Sequence, residues 1–387
     1  MYSIKRTVLL VGLLAMLGLP AAGRGESQTP ALIPVVFQSK WFPQAQFAGY
    51  WVAGGHPPGQ APSHHVPTEG GHTFYAQEGL DVTIRDGGSV NPTVQVGDGH
   101  ADFGTDWLAN MLIQRQAKQL DIVHIAQIFQ LPAYAFVAQQ AAGINTIADF
   151  QGKQVGVWAL GNEFPAAVCF RVHGLTDVKT TVYAFDPAMV FPDKVDIASA
   201  MLYNELHQII GLGFPLQQLH VMAAAGNACG VLEDFLFTTR ALLQSDNWKG
   251  TGLSGKDLAQ RFVRATLKGW HWAIQHQEQA VQVVLDFCGA TCRGSGATQD
   301  PLTHQTWQMA RVAEMVQPAL LTDTHMRALF GLTETPVQVV IGCLNLQSYS
   351  RTVNLLEQIH LIAAGVGDPR QVVRFDILDD IGVKCAR

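Results

Sequence analysis

From residue 33 onward the chain alternates short apolar runs of strand character with short helical runs, and that alternation restricts it to a small set of architectures. Ile33-Pro34-Val35-Val36-Phe37-Gln38 reads as a strand, residues 46–53 as a helix, residues 74–80 as a short helix closed by Gly79, and Asp81-Val82-Thr83-Ile84 as a strand. The pattern continues with helices at 92–96 and 107–116 and strands at 101–104 and 122–126. Strands alternating with helices form parallel βα units. An apolar strand at 133–139 starts a second series, with strands at 152–158, 180–185, 195–198 and 220–223. An apolar segment follows at 232–239, and the rest is chiefly helical. Ser254 and Asp257 form a capping box for a helix carrying Leu258, Phe262, Ala265, Gly269 and Trp272 at spacings of four and three. Trp307, Val312, Ala313 and Val316 mark another helix.

At 387 residues the chain is too long for one core, which stops growing near 250–300 residues. The expectation is an α/β chain of two lobes: residues 31–131 plus 236–387 form the first, 132–235 the second, with hinges near 128–135 and 231–237. Residues 1–23 read as a secretory signal peptide, with Lys5 and Arg6, an apolar run over 7–19 and the small residues Ala21, Ala22 and Gly23. No cysteine follows that could carry a lipid, so the expected location is the periplasm or outside the cell. With 25 basic and 31 acidic residues, a net charge of −6 and no later basic cluster, the chain is a poor match for nucleic acid.

Six cysteines in an exported chain permit disulfides. Cys288 and Cys292 are the best candidate pair, against free or differently paired thiols; zinc-finger spacing is absent. Residues 54–72 are an insert rich in Gly, Pro and His, containing His56, His64, His65 and His72. It reads as solvated surface or a cover for the cleft mouth, and no metal or cofactor is expected, although His-rich loops do bind zinc or copper.

Enzyme signatures are missing. Gly250-Thr-Gly-Leu-Ser-Gly255-Lys256-Asp257 comes near a phosphate-binding loop, but Asp257 replaces the hydroxyl that would hold magnesium, and helix capping explains the same residues. Polar and aromatic residues gather instead after strand ends, where open α/β sheets place ligands. Trp41, Gln44, Gln46 and Tyr50 follow the first strand, and Asp106 and Trp107 the third. Trp158, Asn162 and Glu163 follow the second lobe's leading strand, and Tyr203, Asn204 and Glu205 lie beyond 195–198. Aromatic faces beside amides and carboxylates suit a planar heteroaromatic ligand. Seven of them have a plainer role open: Trp41, Trp158, Tyr50 and Trp107 as core, Asp106 as a cap, Glu163 as partner of a helix dipole, Glu205 as a solvated helix residue.

Lys40-Trp41-Phe42-Pro43-Gln44-Ala45-Gln46-Phe47-Ala48-Gly49-Tyr50, Phe74-Tyr75 with Glu78-Gly79-Leu80-Asp81-Val82, Ala101-Asp102-Phe103-Gly104, Gly152-Lys153-Gln154-Val155-Gly156-Val157-Trp158, Tyr203-Asn204-Glu205 and Arg264-Ala265-Thr266-Leu267-Lys268-Gly269-Trp270 together resemble the NMT1-type, thiamine-precursor-like solute-binding proteins. The resemblance covers about 35–316. It implies a type II periplasmic-binding-protein fold, two α/β lobes joined by two hinge strands, working as a monomer with an ABC permease and ATPase. Relatives take thiamine pyrimidine precursors, riboflavin, sulfonates or nitrate. The family also includes a fungal pyrimidine synthase, whose cofactor lysine falls at Thr105-Asp106-Trp107, whose sacrificial histidine falls near Asn110, and whose Cys-rich run falls at Gly226-Asn227-Ala228-Cys229-Gly230. Without a Schiff-base lysine or a metal-ligand cluster, a binder of a pyrimidine precursor is expected over a synthase, with riboflavin as the rival ligand.

Overall fold

The computed structural model describes residues 31–386; residues 1–23, expected to be a signal peptide, lie outside the described residues. Ten strands form two five-stranded sheets. The first contains β1 (Ile33–Gln38), β2 (Leu80–Arg85), β3 (Phe103–Trp107), β4 (Ile122–Gln127) and, from far along the chain, β10 (Glu233–Thr239), in the order β2-β1-β3-β10-β4. The second contains β5 (Tyr134–Gln139), β6 (Gln154–Val157), β7 (Lys179–Val182), β8 (Ile197–Met201) and β9 (Leu219–Ala223), in the order β7-β6-β8-β5-β9.

One rule governs both sheets. β1 runs parallel to β2 and β3, and β6 parallel to β7 and β8. The antiparallel strand in each is the first one the chain makes after arriving from the other sheet: β5 lies antiparallel between β8 and β9, and β10 between β3 and β4. Residues 128–133 and 224–232 are therefore the two crossings between sheets.

Several strand limits differ from those read in the sequence. The strand expected at 101–104 is observed at Phe103–Trp107, and that expected at 195–198 at Ile197–Met201. Thr105 and Asp106 look like loop residues, yet both are buried and hydrogen-bonded inside the fold, which lets polar residues occupy a strand end.

The helices α1 (Ala48–Val52), α2 (Phe74–Gln77), α3 (Pro92–Gly97) and α4 (Leu108–Lys118) cover the first sheet, while α5 (Phe164–Val172) and α6 (Glu205–Gly211) belong to the second. After β10 come α7 (Arg240–Gln244), α8 (Gly255–Gln275), α9 (Gln277–Leu285) and α10 (Pro301–Val316). Ser254 caps α8, accepting from the Asp257 backbone N–H at 3.1 Å, while its hydroxyl donates to the Asp257 carboxylate at 2.8 Å. Lys256 is held by Asp376 and Asp380 at 3.0 and 2.6 Å, so the near phosphate loop is a helix start. The buried face of α8 places Phe262 flat against Phe103, ring centroids 4.2 Å apart. Gly269 sits where a Cβ would lie 2.2 Å from the Gly49 carbonyl, so α1 and α8 touch backbone to backbone.

All six cysteines are paired, Cys288 with Cys292, Cys169 with Cys229 and Cys343 with Cys385. Among the described residues no helix is long and apolar enough to cross a membrane. The insert is fastened to the first lobe. His56 bridges to Thr83 through its backbone and reaches Asp81 Oδ1 through Nε2 at 2.8 Å, and Val66 joins the core.

Candidate functional site

The carboxyl ends of β1, β3, β6 and β8 point toward one another and supply the walls of a shared cavity. Lys40, Trp41 and Gln46 follow β1, Trp107 ends β3, Trp158 and Asn162 follow β6, and Met201, Tyr203 and Glu205 come from the end of β8 and the start of α6. The cavity is nearly shut. It measures about 20 Å³ to the centre of a water, room for a single water molecule.

Rings from the two lobes close it edge to face, the favoured arrangement for aromatic quadrupoles. Trp41 meets Trp158 with centroids 6.1 Å apart and planes at 64°, and Phe42 meets Phe185 at 5.9 Å. Trp107 Nε1 donates to Asn162 Oδ1 at 2.8 Å across the same gap. Trp158 is further braced by Tyr134 and Tyr183, at 5.9 and 5.7 Å. Two buried polar atoms on the wall, Trp158 Nε1 and the Tyr203 hydroxyl, have no protein partner.

The polar side of the cavity is built on one lysine. Lys40 is 2% exposed; its ammonium lies 3.0 Å from Asp234 and 3.4 Å from Glu233, and 3.6 Å from the centre of the Trp107 ring. A register shift between Glu233 and Phe235 puts Asp234 at φ 49°, a left-handed conformation that Asp tolerates better than most residues, and the bulge aims its carboxylate at Lys40. Gln46 Nε2 donates to Asp234 at 2.9 Å, and the Glu233 carboxylate accepts from the Ala133 backbone N–H. Burial pushes Glu233 up to about 7 and raises Asp234, with the Lys40 charge opposing both.

Glu205 opens α6, accepting from the Met201 backbone N–H at 2.9 Å and from Asn204 Nδ2 at 2.8 Å; burial pushes it up to about 7. Behind it a polar chain joins the lobes. Asn204 Oδ1 lies 2.9 Å from His304 Nε2 and accepts from Gln308 Nε2 at 2.7 Å. His304 Nδ1 lies 2.9 Å from His207 Nδ1, so of the two imidazoles one donates and the other accepts. Burial holds His304 down near about 3, helped by the neighbouring His207, and His207 near about 4.

These shifts set opposing pH trends. The Glu205 carboxyl titrates at about 7 in the fold against 4.5 in the unfolded chain. Its contribution is full below pH 4.5 and lost as pH rises through about 7. His207 and His304 are depressed from 6.5, so theirs is full above pH 6.5 and lost on acidification through about 4 and 3. In urea unfolding followed from pH ~5 to ~8, the Glu205→Gln variant should lack about 2–3 kcal/mol of stability loss that the wild type suffers over that range, whatever the histidines add on top. A slope unchanged in the variant contradicts the assignment.

Of the residues singled out in the sequence, Trp41, Gln46, Trp107, Trp158, Asn162, Tyr203 and Glu205 line the cavity. Gln44 and Asn204 stand one layer behind: Gln44 donates to Gln46 Oε1 at 2.7 Å and accepts from Gln308 at 3.3 Å. Three lie elsewhere. Tyr50 packs in the first lobe's core, against Phe37 at 4.4 Å and Trp270 at 5.6 Å. The Asp106 carboxylate faces α3 and α4, accepting from Thr93 Oγ1, Asn110 Nδ2 and the Trp107 N–H; burial pushes it up to about 6. Glu163 is used within its own turn, accepting from the Gly161 N–H at 2.8 Å. Met201 and the acids Glu233 and Asp234 were missed. The acids had a signal, since two adjacent carboxylates in an apolar run need a buried counter-charge.

Two α/β lobes closing on a cleft at their strand ends define the periplasmic-binding-protein fold. It is shared with the ligand-binding component of an ABC-type import system from Staphylococcus aureus with zinc bound (TM-score 0.57, 11% identity, 91% of this chain and 100% of that one). It is shared also with the alkanesulfonate-binding protein SsuA from Xanthomonas axonopodis pv. citri bound to MOPS (TM-score 0.52, 13% identity, 89% and 99%). The chain belongs to the NMT1/THI5-like family, whose model matches residues 69–280. Among curated proteins it is similar to riboflavin-binding protein RibY of Chloroflexus aurantiacus, 24% identical over 338 residues, covering 83% of this chain and 87% of that protein.

Proposed function

We propose that the protein is the exported solute-binding component of an ABC importer, and that its cleft closes on a planar nitrogen heterocycle, neutral or weakly basic, with a thiamine pyrimidine precursor as the first ligand. The charge balance of the cavity carries this reading. Lys40 is the one cation on its wall among the described residues, and Glu233 and Asp234 already hold it, while Glu205 adds a third carboxylate. An anion such as a sulfonate or nitrate would meet a wall with no unclaimed positive charge. A heteroaromatic ring finds Trp41 and Trp158 to stack on, Asn162 and Gln46 for its amide-like edges, and the Glu205 carboxylate for an amine. The ring enters by separating Trp41 from Trp158, the contact that now shuts the cavity.

Riboflavin is the second reading, favoured by the similarity to RibY along most of both chains. The positions corresponding to synthase chemistry are engaged otherwise: Asn110 bonds Asn91 and Asp106, and Cys229 is in a disulfide.

Calorimetry of the mature protein with an aminopyrimidine, riboflavin, nitrate and an alkanesulfonate tests the proposal. One of the two heterocycles should bind and the anions should not; silence toward both heterocycles overturns it. Trp158→Ala should weaken the bound heterocycle roughly 10–100-fold, the range that loss of one stacking face produces.

A further inference from the structure

A second constellation lies away from the cleft, where the insert meets the residue that closes α9. His64 Nδ1 and His65 Nδ1 lie 3.8 and 3.3 Å from one oxygen of Asp286, and the two imidazole centroids are 3.8 Å apart. The three donor atoms all fall within 4.8 Å of one another. The same carboxylate oxygen accepts from the Ser63 hydroxyl, which itself accepts from the His65 backbone N–H at 3.0 Å.

The His65 separation is that of a long hydrogen bond and the His64 separation exceeds one, while both are right for shared coordination. An N–H···O bond draws its atoms to about 2.7–3.2 Å. Ligands arranged tetrahedrally at about 2.0–2.2 Å from zinc lie about 3.4 Å from each other, and the two observed separations bracket that value. Two imidazoles converging on one carboxylate form the donor set that suits zinc, copper or nickel over magnesium or calcium. The Ser63 hydroxyl supplies the outer hydrogen bond that orients a ligating carboxylate. The side chains are accessible, His64 at 80% and His65 at 38%, so an ion reaches them and water can complete the shell.

We propose that His64, His65 and Asp286 hold one divalent transition-metal ion, zinc foremost, which clamps the insert to the end of α9. The site is independent of the ligand cleft, as none of the three residues lines it.

The test is a zinc titration of the untagged mature protein by calorimetry at pH ~7.5, with magnesium and calcium as controls. The expected result is one zinc per chain and no response to the controls. His65→Ala and Asp286→Asn should each weaken zinc binding at least tenfold, while His72→Ala, in the same insert but outside the cluster, should leave it unchanged. Zinc should raise the unfolding temperature of the wild type and of H72A but not of H65A. Binding should fade on acidification, because imidazole ligates only when neutral. Equal zinc affinity in wild type, H65A and D286N overturns the site, as does no heat above the buffer blank.

Discussion

Lys40→Met should lower the unfolding free energy by about 3–5 kcal/mol near neutral pH, the usual consequence of stripping one partner from a buried ion cluster. Among the described residues the ammonium is the only cation within ion-pair distance of both Glu233 and Asp234, and none of the three side chains is more than 3% exposed. Removing it leaves two adjacent carboxylates facing each other in low dielectric, where each disfavours the other's charge. Both already titrate high because of burial, so the variant should recover stability on acidification toward pH ~5 as they take up protons. Lys40→Met combined with Glu233→Gln and Asp234→Asn should recover most of the loss, since no buried charge then remains. Urea unfolding across pH measures all of this; a single variant within about 1 kcal/mol of wild type at pH ~8 refutes it.

Gly211→Val should cost ligand affinity about a hundredfold while leaving each lobe folded. A Cβ at Gly211 would lie 2.0 Å from the Ser295 carbonyl oxygen, and one at Gly296, itself at φ 55°, would lie 2.0 Å from the Gly211 oxygen. α6 follows β8 of the second sheet directly. The Ser295 segment is tied to the first, through Thr291 Oγ1 donating to the Pro43 carbonyl at 2.8 Å and Gln305 Nε2 to the Cys292 carbonyl at 3.0 Å. Backbone cannot yield as a flexible side chain does, so any side chain here holds the lobes apart. A hundredfold loss corresponds to about 2.7 kcal/mol transferred from binding to forced closure. Calorimetry reads the affinity, and small-angle scattering should show compaction on ligand addition in the wild type only. Affinity within threefold of wild type would mean the seam is not part of closure.

The βα alternation was readable because parallel strands and their helices follow periodicities visible within a few residues, and the capping of α8 is a four-residue signal. Side-chain direction in residues 46–53 was not readable: every residue there is buried, so no apolar stripe distinguishes a cleft face from a core face, and Tyr50 was placed on the wrong one. Trp107 was expected at a helix start and is the last residue of β3, which is what carries it into the cavity. The Lys40 cluster and the His207–His304 contact join residues 193 and 97 positions apart. Long-range polar pairing of that kind leaves no local periodic trace.

The three disulfides have a topological property that bears on how the molecule works. Cys169 and Cys229 close a loop that begins in the second lobe and ends in the returning crossing, and the other two bridges lie wholly beyond residue 240. None ties a strand of the first sheet to a strand of the second. Formation of the three bridges thus shrinks the unfolded ensemble while adding no covalent link between the two sheets beyond the two chain crossings. The covalent network guards each lobe against unravelling, and apart from the two crossings the seam between the sheets is held by noncovalent contacts alone.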